Sequence, residues 1–147
     1  ITMNNLSIPG IKDFLKWVIE LRAKHSTTYQ RVWFDTPLLR QPQWQSLQIM
    51  PDSYSWKLQQ VLKWMQDHEI NEDVHEFVGF KDFEIAKMSR DIAWMRSPHP
   101  NLNVNRLKKD FYLFFKEHDH RHKTVFAEVF PEMADFWAEC KYHAESL

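Results

Sequence analysis

The chain is expected to be α/β at its N-terminal end and mostly helical after it. Three observations predict this. Val32 and Phe34 alternate with Arg31, Trp33 and Asp35, the period-two pattern of a short half-buried strand. Thr36-Pro37 then ends it, because proline has no N–H to give to a sheet ladder. Beyond Pro51, by contrast, apolar residues recur at helical spacing. The polar corner Asp35-Thr36-Pro37 also lies where open α/β sheets keep ligand sites, at the C-terminal end of a strand.

Taken in order, Ile1, Met3, Leu6 and Ile8 suit a buried strand over Ile1–Ile8, and Pro9-Gly10 punctuates it. A helix from about Ile11 to His25 follows, with Phe14, Leu15, Val18 and Ile19 on its apolar face. With the strand at Arg31 this makes a βαβ unit, so the two strands should be parallel. Parallel sheets need cover and neighbours. Only the short run Ser46–Met50 offers another strand, so further strands are expected upstream of Ile1. After Pro51, Tyr54 to Met65 forms a helix, Asp67–Gly79 an acidic loop, and Phe83 to Met95 a second helix. Ser97-Pro98-His99-Pro100 is the clearest linker. A third helix is expected from about Asn105 to His118, then a short turn capped by Thr124 and running to Val129. Pro131 opens a last helix to about Tyr142. The division is 1–51 and 52–147, with no internal repeat.

Composition bounds the function. At 147 residues, 44% hydrophobic and 15% aromatic, the chain has enough apolar surface for one domain and is not disordered. Seven Trp and eleven Phe imply large buried surfaces, internal or against a partner. Two glycines, about a fifth of ordinary usage, exclude the dinucleotide fingerprint and the P-loop. The single Cys140 excludes an intrachain disulfide framework and an all-cysteine metal site, and points to the cytoplasm. A net charge of −1 gives no global attraction for nucleic acid or a membrane surface.

Several constellations resemble chemistry. His118 and His122, four apart on a helix, have the spacing that grips a transition metal, with Asp119 to orient one ring. The same residues also suit a cationic helix end, and no third ligand follows. Asp67, Glu69, Glu72, Asp73 and Glu76 read as a solvated surface. Cys140 reads as core beside Phe136 and Trp137. Lys108, Lys109, Lys116, Arg121 and Lys123 are basic, yet the interleaved phenylalanines have core spacing. Asp35, Thr36, Trp44 and Gln45 are the better candidates, combining a carboxylate, hydrogen-bonding groups and an aromatic. The plain alternative is that Asp35 caps its turn and Trp44 packs over it.

Three stretches, LSIPGIKDFLKWVIELR, RVWFDTPLLRQPQWQSLQIMP and DFYLFFKEHDHRHKTVFAEVFPEMADFWAECK, together resemble the C-terminal half of Twitch-domain-containing radical S-adenosylmethionine (SAM) proteins. The resemblance implies the last βα units of a partial (β/α)6 barrel over 1–51, followed by a helical C-terminal region. In such enzymes a CxxxCxxC loop holds a [4Fe–4S] cluster that cleaves SAM to a radical. This chain has no such loop, so it would bind neither cofactor alone and would need the N-terminal barrel portion as partner. Asn4, Asn5, Asp35 and Thr36 would point toward SAM, and Trp44 and Gln45 toward the substrate. The family's auxiliary cluster uses several cysteines, which Cys140 alone does not supply. The expected function is thus to shape and cover the substrate end of a radical SAM enzyme. The alternatives are a self-contained helical interaction module, or a metal-binding domain built on His118 and His122.

Overall fold

The computed structural model describes residues 1–25, 31–70 and 77–146. Of these, 68% are helical and 3% strand-like. This corrects the expected α/β barrel portion: among the described residues there is no sheet and no barrel. Strand pairing is confined to two isolated parallel bridges, Met3 with Leu38 and Glu69 with Phe80.

The physical reason lies in side chains that take over the backbone. Asn4 accepts the Leu6 N–H at 2.9 Å and the Ser7 hydroxyl accepts the Asn4 N–H at 3.2 Å, so Asn5–Ser7 turns into a 3-10 helix. The strand expected through Ile8 therefore stops at Met3. The expected strand at Ser46–Met50 is likewise a 3-10 turn, Leu47–Ile49. Ser46 caps it by accepting the Gln48 N–H, and it buries Leu47 and Ile49. What persists of the βαβ unit is its sense. The Met3 N–H donates to Pro37 O at 2.7 Å and the Leu39 N–H to Met3 O at 2.9 Å, a parallel register across one helix.

That helix, α1 (Ile11–His25), buries Ile11, Leu15, Val18 and Arg22. It has Asp13 in its first turn and three basic residues in its last, as the macrodipole favours. Helix α2 (Asp52–Asp67) buries Tyr54, Leu58, Val61, Leu62 and Met65, and α3 (Asp82–Met95) buries Met88, Ile92 and Met95 with Glu84 and Asp91. Asn103 caps α4 (Val104–His122) by accepting the Arg106 N–H at 3.0 Å. This helix runs a full turn beyond the expected end at His118 and stops at Lys123, whose φ of 55° is left-handed. Asp119 fixes the exit by accepting from the Thr124 hydroxyl at 2.7 Å and the Phe126 N–H at 2.8 Å. The short α5 (Phe126–Val129), a 3-10 turn at Pro131–Met133 and α6 (Ala134–Glu145) complete the chain.

One apolar cluster takes residues from Met3 through Cys140, drawing on both parts of the sequence. Phe111 on α4 is central, with ring contacts to Trp44, Phe115, Phe126, Phe136 and Trp137. The Tyr54 hydroxyl ties α2 to α6 by donating to Asp135 at 2.7 Å. Burial and that bond push the Tyr54 hydroxyl up, while the same bond, against burial, holds Asp135 below the usual carboxylate range. Within the expected acidic loop, Asp67 ends α2 and Glu69 bridges to Phe80. Glu72, Asp73 and Glu76 lie outside the described residues.

Candidate functional site

The segment after α1 is held extended by one buried cation. Arg22 and the Glu84 side chain are 0% and 1% exposed, paired at 2.8 Å. A guanidinium has five N–H donors, and all are used. Nε and Nη2 donate to Val32 O, Nη1 to Gly79 O, and Nη1 and Nη2 to the two Glu84 oxygens. Glu84 also accepts the Lys81 N–H at 2.9 Å. Arg22 thus fastens Val32, the approach to α3 and α3 itself to α1. Gly79 is required for this close approach, because a Cβ there would lie 2.5 Å from His68 O.

Around this staple the side chains alternate. Phe34 packs inward between Phe14 and Phe80, each ring centroid 6.1 Å away. Trp33 points out under the Lys81 ammonium and is 64% exposed. Trp17, beside Phe14, is 54% exposed and Phe83 is 42% exposed. Among the described residues, the N–H groups of Trp33, Phe34 and Asp35 donate to no protein acceptor. The result is an open backbone edge flanked by aromatic surface.

At the end of that edge is a polar corner. Asp35 accepts its neighbour's Thr36 N–H at 2.8 Å and pairs with Lys87 of α3. The Lys87 hydrogen bond holds the Asp35 carboxyl below its usual range. Thr36 is buried beside Asp91. Burial pushes Asp91 up to about 6, against the opposing effects of Thr36, Lys87 and Arg90. One Asp91 oxygen, Oδ2, has no partner.

The residues expected to bind ligand divide here. Asp35 and Thr36 do come together with other titratable groups, namely Lys87 and Asp91. Asn4 is spent on its own turn, and Asn5 is fully buried, donating to Trp44 O at 3.0 Å. Trp44 is half-buried and packs against Phe114 at 4.5 Å. Gln45 belongs to the 3-10 turn Gln43–Gln45 beside it. His118 and His122 lie in a tilted pair with ring centroids 4.4 Å apart on α4. Among the described residues no group of three His, Cys, Asp or Glu could hold a metal ion. Cys140 is fully buried, with its thiol pushed up to about 12 by that burial. This donor set does not fit an iron–sulfur cluster; of the four residues expected near SAM, Asn4, Asp35 and Thr36 are engaged with protein groups, while Asn5 leaves its buried Oδ1 without a partner.

Sequence reasoning missed Arg22, Glu84, Lys87 and Asp91. The signal was available for three of them. Arg22 continues the Ile11-Leu15-Val18 stripe of α1, and Glu84 and Asp91 lie on the Met88-Ile92-Met95 stripe of α3. A charge on an apolar stripe implies a buried partner. Among the described residues, no helix is long and apolar enough to cross a membrane. Comparison with protein-family models, curated proteins and solved structures gives no match.

Proposed function

We propose that the chain is a non-catalytic docking and covering part of a radical SAM enzyme. It binds the part bearing the CxxxCxxC loop through the open edge at Trp33–Asp35. The observation that carries this reading is the edge itself. The N–H groups of Trp33, Phe34 and Asp35, which alternate between the two sides of the segment, have no protein acceptor among the described residues, and the exposed rings of Trp33 and Phe83 lie on either side of Lys81 beside it. An extended segment of the partner gains main-chain bonds along such an edge, and the flanking aromatics give area and specificity. The family resemblance of RVWFDTPLLRQPQWQSLQIMP, which contains this edge, supports the choice of partner. The chemistry of the donor set supports the non-catalytic role, since radical generation belongs to the cofactor and its ligands.

The test is titration calorimetry of the chain against the cluster-bearing polypeptide from the same source. The native chain should bind, and Trp33→Ala should weaken binding by about 2 kcal/mol, as loss of an aromatic anchor does, without lowering the melting temperature. Full-strength binding by the Trp33→Ala, Trp17→Ala double variant would overturn the reading.

A second reading, a helical interaction module unrelated to radical chemistry, is favoured by the single core that unites both parts of the chain. It expects the same Trp33 dependence with a partner that carries no cluster.

A further inference from the structure

Helix α3 buries two carboxylates, and only one of them is compensated. Glu84 has the Arg22 guanidinium on both oxygens. Asp91 is 4% exposed, yet its Oδ2 has no partner. A buried carboxylate oxygen without a donor is strongly disfavoured as an anion. A proton removes the charge, and burial accordingly pushes Asp91 up to about 6.

Few charged groups surround it. Lys87 and Arg90 act on it from α3, and Asp35 from the extended segment. The Ile1 amino group reaches the same corner, donating to Asp35 O at 3.0 Å. Helix α2 and the Leu47–Ile49 turn, which also pack on α3, meet it through Ser55 and Gln48, neither of them titratable. Arg90 is exposed and, as the adjacent residue, does not share the Asp91 face. Lys87 does share it, lying four residues earlier and one helical turn away.

The Lys87 ammonium is paired with Asp35, whose side chain is 55% exposed. The two carboxylates are unequal claimants for that cation. Asp35 without Lys87 is solvated by water and loses little. Asp91 ionised without a cation is a stranded buried charge, and its attraction for Lys87 is the stronger because its surroundings are less polar.

We infer that Lys87 is a proton-operated latch, holding Asp35 while Asp91 carries its proton and turning to the Asp91 carboxylate when that proton leaves for solvent. Loss of the proton thereby releases the Asp35 corner. Asp35 ends the Trp33–Asp35 edge, so the latch sets how firmly that edge is held. This consequence for docking rests on the function proposed above, whereas the latch belongs to the chain alone.

The experiment is a pH titration of the isolated chain from about pH 4 to 8, followed by NMR of the Asp35 and Asp91 carboxyl carbons. Asp35 lies below its usual range and has no proton to lose in this window, so a step in its signal reports the departure of Lys87. Both carbons should move together, with the midpoint of Asp91. Asp91→Asn should abolish the Asp35 step. Lys87→Met should abolish it too and raise the Asp91 midpoint by about one pH unit or more, the effect of removing a nearby cation. Arg90→Gln should leave both steps in place, and thermal melts should show every variant folded. An Asp35 signal that stays still while Asp91 titrates would overturn the latch. So would a step that survives Lys87→Met, or one that vanishes with Arg90→Gln. No partner enters these measurements, so their failure is distinct from a failure of docking.

Discussion

Arg22 and Glu84 illustrate how much one buried pair governs here. Removing half of such a pair strands the other half in a low-dielectric interior, a loss of about 3–5 kcal/mol. Glu84→Gln keeps the shape but leaves Arg22 as an uncompensated buried cation. Chemical denaturation should show it destabilised by about 3 kcal/mol, whereas a loss within experimental error would mean that the pair contributes little. Asp91 gives a second expectation at this scale. Its folded-state value of about 6 lies above the model-compound value of 3.8, so the native state holds the proton more tightly than the unfolded chain does. Its contribution to stability is therefore complete below about pH 4 and is lost as pH rises through about 6. Melting temperatures measured across that window should fall with pH, and Asp91→Asn should flatten the slope. Neither residue was flagged from sequence, because apolar periodicity was read for its hydrophobes and the charges within the stripes were passed over. Asp35 and Thr36 were legible, since a polar corner at the end of an extended run is a local signal. Their partners lie more than fifty residues away: Lys87 carried no such signal, and Asp91 only its place as a charge on the apolar stripe of α3.

Among elements, helices were legible and strands were not. The bounds of α1 coincide with those expected, Ile11 to His25, because an amphipathic stripe is set by the helix's own residues. Two parallel strands, at Ile1–Ile8 and Arg31–Phe34, were expected; neither forms, and the one parallel bridge near them, Met3 with Leu38, lies beyond the Pro37 that was to end the second. The α4 end was placed a turn early because Asp119 and Lys123 act through geometry rather than composition. Helix capping at the other end of α4 is testable. Asn103→Ala should cost about 1 kcal/mol, read by thermal or urea unfolding, and an unchanged midpoint would remove Asn103 as the cap. Between α2 and α3, a Cβ at position 79 would run into the facing backbone of His68, Glu69 and Ile70. Gly79→Ala should therefore destabilise by about 1–3 kcal/mol, the usual cost of overpacking. Wild-type stability in that variant would show that the bridge between Glu69 and Phe80 yields easily.

The whole molecule buries one continuous core while leaving Trp17, Trp33 and Phe83 largely outside it. A chain able to pack Phe111 among five other rings does not expose tryptophan for want of a core. Trp56, Phe114 and Tyr142 are exposed elsewhere, so what singles out the face proposed for docking is that exposed Trp33 and Phe83 lie there beside backbone donors that are also open. The barrel expected from resemblance was wrong: among the described residues the two short segments make no sheet, only isolated bridges. The extended edge they leave was foreshadowed by the alternation at Arg31–Asp35. Hydrogen exchange at the Trp33, Phe34 and Asp35 amides tests the docking claim most directly. In the isolated chain these amides should exchange near the rate of an open backbone. In complex with the cluster-bearing part they should slow by about a hundredfold or more. Unchanged exchange at these three amides in a complex that demonstrably forms would contradict docking at this edge.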